Sequence, residues 1–195
     1  IIGDDTFGKG TVQQLIPIED GQLKVTIAKF YRISGESTQN RGIIPDIKFP
    51  SILDHNEIGE NALPTALPYD QIRALKYPRY GNPSERIQAL TQRHRKRVAK
   101  DPNFVALSRR IKRRINDQRD PALSLKLSTR QQEQSLKNAW SLNVENERRQ
   151  ASKIPLLSDF GELEEFANSN ESQPDAILNE TVQILIDDIK LNRHL

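Results

Sequence analysis

The chain has no cysteine and no methionine, one tryptophan and three histidines. Without cysteine there is no disulfide, no thiol nucleophile and no thiolate-held zinc. The histidines, His55, His94 and His194, are scattered along the sequence and suggest neither a triad nor a metal site. No apolar run approaches the roughly 20 residues that span a bilayer, so membrane insertion is not expected. Neither an initiator methionine nor a signal-like segment opens the chain. Ile1-Ile2-Gly3 reads instead as the middle of a strand, which predicts a piece of a longer polypeptide.

What is present is charge, and it is unevenly distributed. The net charge is +3. Residues 86–119 carry twelve Lys/Arg against Asp101 and Asp117, whereas 159–189 carry nine acids and no Lys or Arg. A basic block can bind nucleic acid or anionic lipid, and an acidic block can mimic either. The plainer expectation is that the two blocks face each other or solvate separate helix faces. Aromatics for base stacking are sparse in the basic block, only Phe104, which argues against single-strand binding, and intramolecular pairing is favoured over a phosphate contact, so no nucleic-acid partner is expected.

The pattern predicts an α+β fold in three stretches: 1–50, a crossover linker at 51–83, and a helical domain at 84–195. Gln22 to Ser34 alternates, with Leu23, Val25, Ile27, Tyr31 and Ile33 on one face and Lys29 interrupting it. Thr11 to Ile18 is a second β-like run, and Asp20-Gly21 between them suits a hairpin turn. Ser34-Gly35 and Asn40-Arg41-Gly42 are further turns, and 43–47 reads as extended. Residues 51–83 are rich in proline and turn formers. Beyond them Ile87, Leu90, His94 and Val98 mark one helix. Asp101-Pro102 caps the next, with Phe104, Leu107, Ile111 and Ile115 on its face. Leu123 to Leu127 alternates briefly like a strand. Ser128 is positioned to cap a helix bearing Leu136, Trp140 and Val144. Residues 158–175 read as an acidic loop with helical turns, and Leu178, Val182, Leu185, Ile186 and Ile189 mark a last amphipathic helix.

Chemistry concentrates near the start. Gly3-Asp4-Asp5-Thr6-Phe7-Gly8-Lys9 matches most of a phosphate-binding loop, G-x-x-x-x-G-K. Gly10 stands where that motif needs a Ser or Thr for magnesium, and Asp4 and Asp5 would repel phosphate. A P-loop must also open a helix, and Thr11 to Ile16 is β-like. The nucleotide reading is therefore rejected.

The same residues resemble the tail-specific, or carboxyl-terminal processing, protease family. Phe7-Gly8-Lys9-Gly10-Thr11-Val12-Gln13 is similar to its lysine motif. Ser37-Thr38-Gln39, Gly42-Ile43-Ile44-Pro45-Asp46-Ile47, Asn61-Ala62-Leu63-Pro64 and Pro68-Tyr69-Asp70 follow in family order. Ala99 to Phe104 and Asn179-Glu180-Thr181-Val182 extend the resemblance into the helical half, on the branch with an added helical C-terminal region. The resemblance implies a serine-type endopeptidase using a Ser/Lys dyad, periplasmic, with protein substrates bearing apolar C-terminal tails and an adaptor protein as a further possible partner. It implies no cofactor. It also implies that the nucleophilic serine and the substrate-capturing PDZ module lie upstream, leaving this chain inactive alone.

In the resemblance Lys9 is the general base and Gln13 orients its amine. A lysine must be neutral to accept a proton, and its ordinary pKa is about 10.4, so such a site has to lower it by desolvation. On a strand, i and i+4 share a face but lie roughly 13 Å apart. Contact between Lys9 and Gln13 therefore calls for a bulge or bend, for which Gly10 is the candidate. Ser34, Ser37 and Ser51 lack a nucleophile context. Glu164-Glu165 and Asp187-Asp188 are adjacent, diverge on a helix and read as solvated charge. Self-association through the open edge and apolar face of 1–50 is expected. A helical protein-interaction module is the alternative reading of the C-terminal half, followed by a basic nucleic-acid-binding domain centred on 86–119.

Overall fold

The computed structural model describes residues 1–55, 57–78, 83–119, 122–169 and 174–192. His194 and Glu171 lie outside them. The architecture is α+β, with two compact units, Ile1–Pro83 and Ser84–Leu195.

In the first unit, β1 (Ile2–Gly3) pairs in parallel with β4 (Ile47–Lys48), placing Ile2 opposite Ile47. β2 (Thr11–Ile18) and β3 (Gly21–Lys29) form an antiparallel hairpin. Its loop is Glu19–Asp20, and Gly21 already belongs to the strand, paired with Ile18. β3 stops at Lys29, earlier than the alternation to Ser34 suggests. Phe30 N still donates to Gly10 O at 3.0 Å, but Arg32 N then turns to Glu36 O at 2.9 Å. The chain has folded onto itself through Gly35, and Tyr31 bridges Ser37.

Lys29, which breaks the apolar face, has a specific use. Its amine donates to Pro68 O at 2.9 Å and to Asp70 Oδ1 at 2.8 Å, and Tyr31 Oη reaches Asp70 Oδ2 at 2.9 Å. The proline-rich stretch is thereby fastened to the hairpin base. Ile47 and Phe49 are the buried large apolar side chains among the described residues of this unit. Around them lie buried polar ones, Thr11, Ser37, Thr38, Gln39 and Glu60. Leu15, Ile18, Leu23 and Ile27 of the hairpin are all more than half exposed.

The second unit holds five helices among the described residues: α1 (Pro83–Val98, its first residue in the other unit), α2 (Pro102–Arg119), α3 (Leu127–Ala151), α4 (Phe160–Asn168) and α5 (Ala176–Asn192). Asp101 Oδ1 accepts from Phe104 N at 2.7 Å, the cap that Asp101-Pro102 signals. Asp159 caps α4 through Glu162 N at 3.1 Å, so 158–175 contains a formed helix rather than isolated turns. Leu90, Phe104, Ala106, Ile111, Val144 and Ile184 are the buried apolar side chains.

Three local expectations fail here. Residues 123–126 form no strand, and Leu125 is wholly exposed, so its alternation faces solvent on both sides. α3 begins at Leu127 with Lys126 at the cap position and no side-chain cap, which puts Ser128 inside the helix. α5 is helical as expected but its inward residues are Glu180 and Ile184, while Leu178, Val182, Leu185 and Ile189 are exposed. The cause is electrostatic. Arg97 of α1 donates from Nε to Glu180 Oε2 and from Nη1 to Asp187 Oδ2, both at 2.8 Å. His94 Nδ1 lies 2.9 Å from Glu180 Oε1. Burial raises the Asp187 carboxyl, but Arg97 and Arg93 outweigh this and hold it below its ordinary value. Asp187 and Asp188 are thus ion-paired, Asp188 with Arg86 at 3.0 Å, rather than merely solvated.

Among the described acids of the acidic block, those of α5 are the ones that pair with α1. The arginines of α2 turn elsewhere. Arg110 pairs with Glu145 of α3, which Arg148 and Arg149 also reach, and Arg109 pairs with Glu147. Burial pushes Glu145 up, yet Arg148, Arg149 and Arg110 hold its carboxyl below the ordinary range.

Candidate active site

The lysine motif sits where the chain enters β2. The element after Lys9 is a strand, so the helix that a phosphate loop needs is missing at that place. Asp4 is engaged by His55 Nε2 at 3.0 Å and Asp5 by Lys48 at 2.7 Å.

Lys9 Nζ donates to Thr11 Oγ1 at 2.7 Å and to Gln13 Oε1 at 3.1 Å. Gln13 Nε2 leans on Thr26 Oγ1 of β3 at 3.4 Å. Lys9, Thr11 and Gln13 occupy i, i+2 and i+4, one face of an extended chain. The lysine stem folds along that face and closes the distance. Thr11, buried and midway between the other two, is the partner that the sequence reading passes over. Its signal is the i+2 position on a face already assigned to i and i+4.

The irregularity in the hairpin is not at Gly10. Val12 pairs with Ala28 and Gln13 with Thr26, so the extra residue is Ile27 on β3. A bulge there increases local twist beside Gln13. Gly10 is glycine for another reason: a Cβ on it would lie 2.6 Å from Gln39 N and 2.9 Å from Ser37 Oγ. Gly8 has φ +91°, and a Cβ there would lie 3.1 Å from the Asn40 carbonyl carbon. Both glycines let the 37–42 turn press against the lysine backbone. Asn40 N donates to Gly8 O at 2.8 Å, Thr38 Oγ1 to Lys9 O at 3.3 Å, and Gly10 N to Gln39 Oε1 at 2.8 Å.

The serines are occupied structurally. Ser37 Oγ accepts from Gln39 N at 3.0 Å, Ser34 Oγ donates to Glu36, and Ser51 Oγ accepts from Leu53 N. Among the described residues, no group of three or more His, Asp or Glu side chains is placed to hold a metal ion. No helix among them is long and apolar enough to cross a membrane.

Residues 53–190 match the family model described as the C-terminal domain of tail specific protease, and residues 1–49 match peptidase family S41. The Tail-specific protease of Haemophilus influenzae is 39% identical over 205 aligned residues, covering 98% of this chain and 29% of that protein. The Carboxy-terminal-processing protease of Bartonella bacilliformis is 54% identical over 48 residues, and the Carboxy-terminal processing protease CtpB of Bacillus subtilis 44% over 48, each about 24% of this chain. The two B. subtilis and B. bacilliformis alignments cover 10% and 11% of those relatives' lengths. The chain belongs to the tail-specific protease family of S41 peptidases, and it spans less than a third of the length of these relatives.

Proposed function

We propose that this chain supplies the lysine half of a Ser/Lys dyad in a serine-type endopeptidase that processes proteins from their C-terminal tails. Lys9 is the general base, and Gln13 and Thr11 orient its amine. The nucleophilic serine and the tail-capturing module belong to the rest of the parent enzyme, so the 195 residues alone do not cleave peptides. The parent works in the periplasm, as the family resemblance implies.

The observation that carries the reading is the bracketing of the Lys9 amine by two acceptors, on a backbone fastened residue by residue. Lys9 is exposed in this chain, so the desolvation expected of a base is not supplied by these residues, but a lysine that only fills a turn needs no such bracketing. A base must meet its hydroxyl with fixed geometry, and its partners must accept hydrogen bonds while leaving a lone pair free to take the proton.

The test is cleavage, by the full-length enzyme, of an unstructured protein with an apolar C-terminus. Lys9→Ala is expected to abolish turnover without loss of folding or substrate capture. Lys9→Arg fails as well, because a guanidinium stays protonated. Gln13→Ala is milder, since Thr11 remains. Near-normal turnover by a folded Lys9→Ala enzyme would falsify the dyad.

A further inference from the structure

Gln39 has 0% exposure, and both ends of its amide bond to groups of the protein interior. Oε1 accepts from Gly10 N at 2.8 Å. Nε2 donates to Glu60 Oε1 and to Leu67 O, both at 3.0 Å, with Asn40 Oδ1 at 3.4 Å. Gly10 N–H can only donate, which fixes which end of the amide faces it. Glu60 is itself buried, and its backbone N–H donates to Phe7 O at 2.9 Å. This network ties the residues on both sides of Lys9 to one internal node. Such a network, buried and satisfied, is rigid.

We propose that Gln39, backed by Glu60, is a positioning residue for the catalytic lysine: it fixes the backbone from which the Lys9 amine is aimed. The inference rests on the reading of Lys9 as the base. Thr11 and Gln13 hold the tip of the side chain, but its root is set by Gly8, Lys9 and Gly10. A displacement of about 1 Å in a reacting group costs about 100-fold in rate. Gly10 and Lys9 lie in the stretch matched by the S41 model, whereas Glu60 and Leu67 lie in the stretch matched by the C-terminal domain model. The C-terminal domain sequence therefore begins by bracing the peptidase's lysine from behind.

The experiment uses full-length protease and the same unstructured substrate, with kcat and KM measured separately and folding checked by circular dichroism and thermal melting. Gln39→Leu is expected to lower kcat about 10- to 100-fold, with KM within about twofold. Glu60→Gln keeps an acceptor for Gln39 Nε2 and stays within about threefold of wild type. Gln39→Glu sets two carboxylates against each other and falls like Gln39→Leu. Adding Glu60→Gln to Gln39→Glu restores the side-chain donor–acceptor pair with its direction reversed but leaves Leu67 O without its donor, so kcat recovers only in part, about threefold.

Wild-type kcat in folded Gln39→Leu overturns the proposal, and so does a swap that recovers nothing. If Gln39→Leu does not fold, the near-isosteric swap decides. Lys9→Ala is run alongside. If it turns over normally, the base assignment itself fails. If it is dead while the Gln39 variants are normal, the positioning role alone fails.

Discussion

Each of the two units is held together internally by different means. In Ile1–Pro83 the buried side chains are mostly polar, each with assigned partners, and most apolar residues of the hairpin stay exposed. In Ser84–Leu195 an apolar core of Leu90, Phe104, Ile111, Val144 and Ile184 does the ordinary work, and charge clusters join the helices. A polar interior gains little net free energy per hydrogen bond, about 1 kcal/mol, but loses much when one partner is removed. An apolar core gains by area and tolerates shape changes better. The first unit is thus built for a single geometry around Lys9, the second for cohesion.

The sharpest way to break that comparison is inside the second unit. Glu145 is the shared acceptor of Arg110, Arg148 and Arg149. Glu145→Ala strands these guanidiniums and is expected to cost about 3–5 kcal/mol. Trp140 on α3, the only tryptophan, reports the transition in urea by its fluorescence. An unchanged midpoint would show that charge is incidental to that unit.

A smaller effect is expected in the first unit. Gly10→Ala forces a methyl against the Gln39 backbone and costs about 1–3 kcal/mol. Hydrogen exchange in peptides covering residues 1–48 should rise while the Trp140 transition stays in place. A shift of that transition would mean that the two units unfold together.

Acid sharpens the contrast further. Glu145 and Asp187 both titrate below their ordinary values of 4.5 and 3.8. A depressed carboxyl stabilises the fold fully above its unfolded pKa, and that contribution is lost as pH falls through the folded one. The Trp140 midpoint is therefore expected to be flat above about pH 5 and to drop as pH goes below the ordinary carboxyl range. A midpoint that rose on acidification would contradict these pairings.

The smallest effect concerns the basic block. Arg86, Arg93, Arg97, Arg109 and Arg110 already have carboxylate partners. Fluorescence titration with duplex or single-stranded DNA at about 0.15 M salt should show weak binding or none. Tight, steeply salt-dependent binding would mean that the remaining lysines and arginines form a phosphate-binding face.

Much of this was legible in the sequence. The hairpin followed from alternation in 11–18 and 22–34, and the α2 start from Asp101-Pro102, because each signal is local. The inverted face of α5 was not legible. Leu178, Val182, Leu185 and Ile189 have the spacing of a core face, and only Arg97 and His94, more than 80 residues earlier, explain why Glu180 lies inside. Gln39 and Glu60 were hidden for the same reason. A glutamine in a turn and a glutamate in a proline-rich stretch look solvated until long-range contacts bury them. Thr11, like Gln39, lies inside a motif that carries the resemblance, but only the fold shows the Lys9 amine reaching it.

The hairpin has one more consequence. Its pairing is counted from the base, where Thr11 faces Lys29, and Ile18, the last paired residue before the tip at Glu19–Asp20, is seven residues farther along, about 23 Å away. Lengthening an exposed loop costs only about 0.6 kcal/mol per doubling. The tip is thus free to vary in length over evolutionary time, and foreign sequence can be grafted there, with the register beside Lys9 left as it is. The hairpin separates the part of the chain that must hold still from the part that can drift.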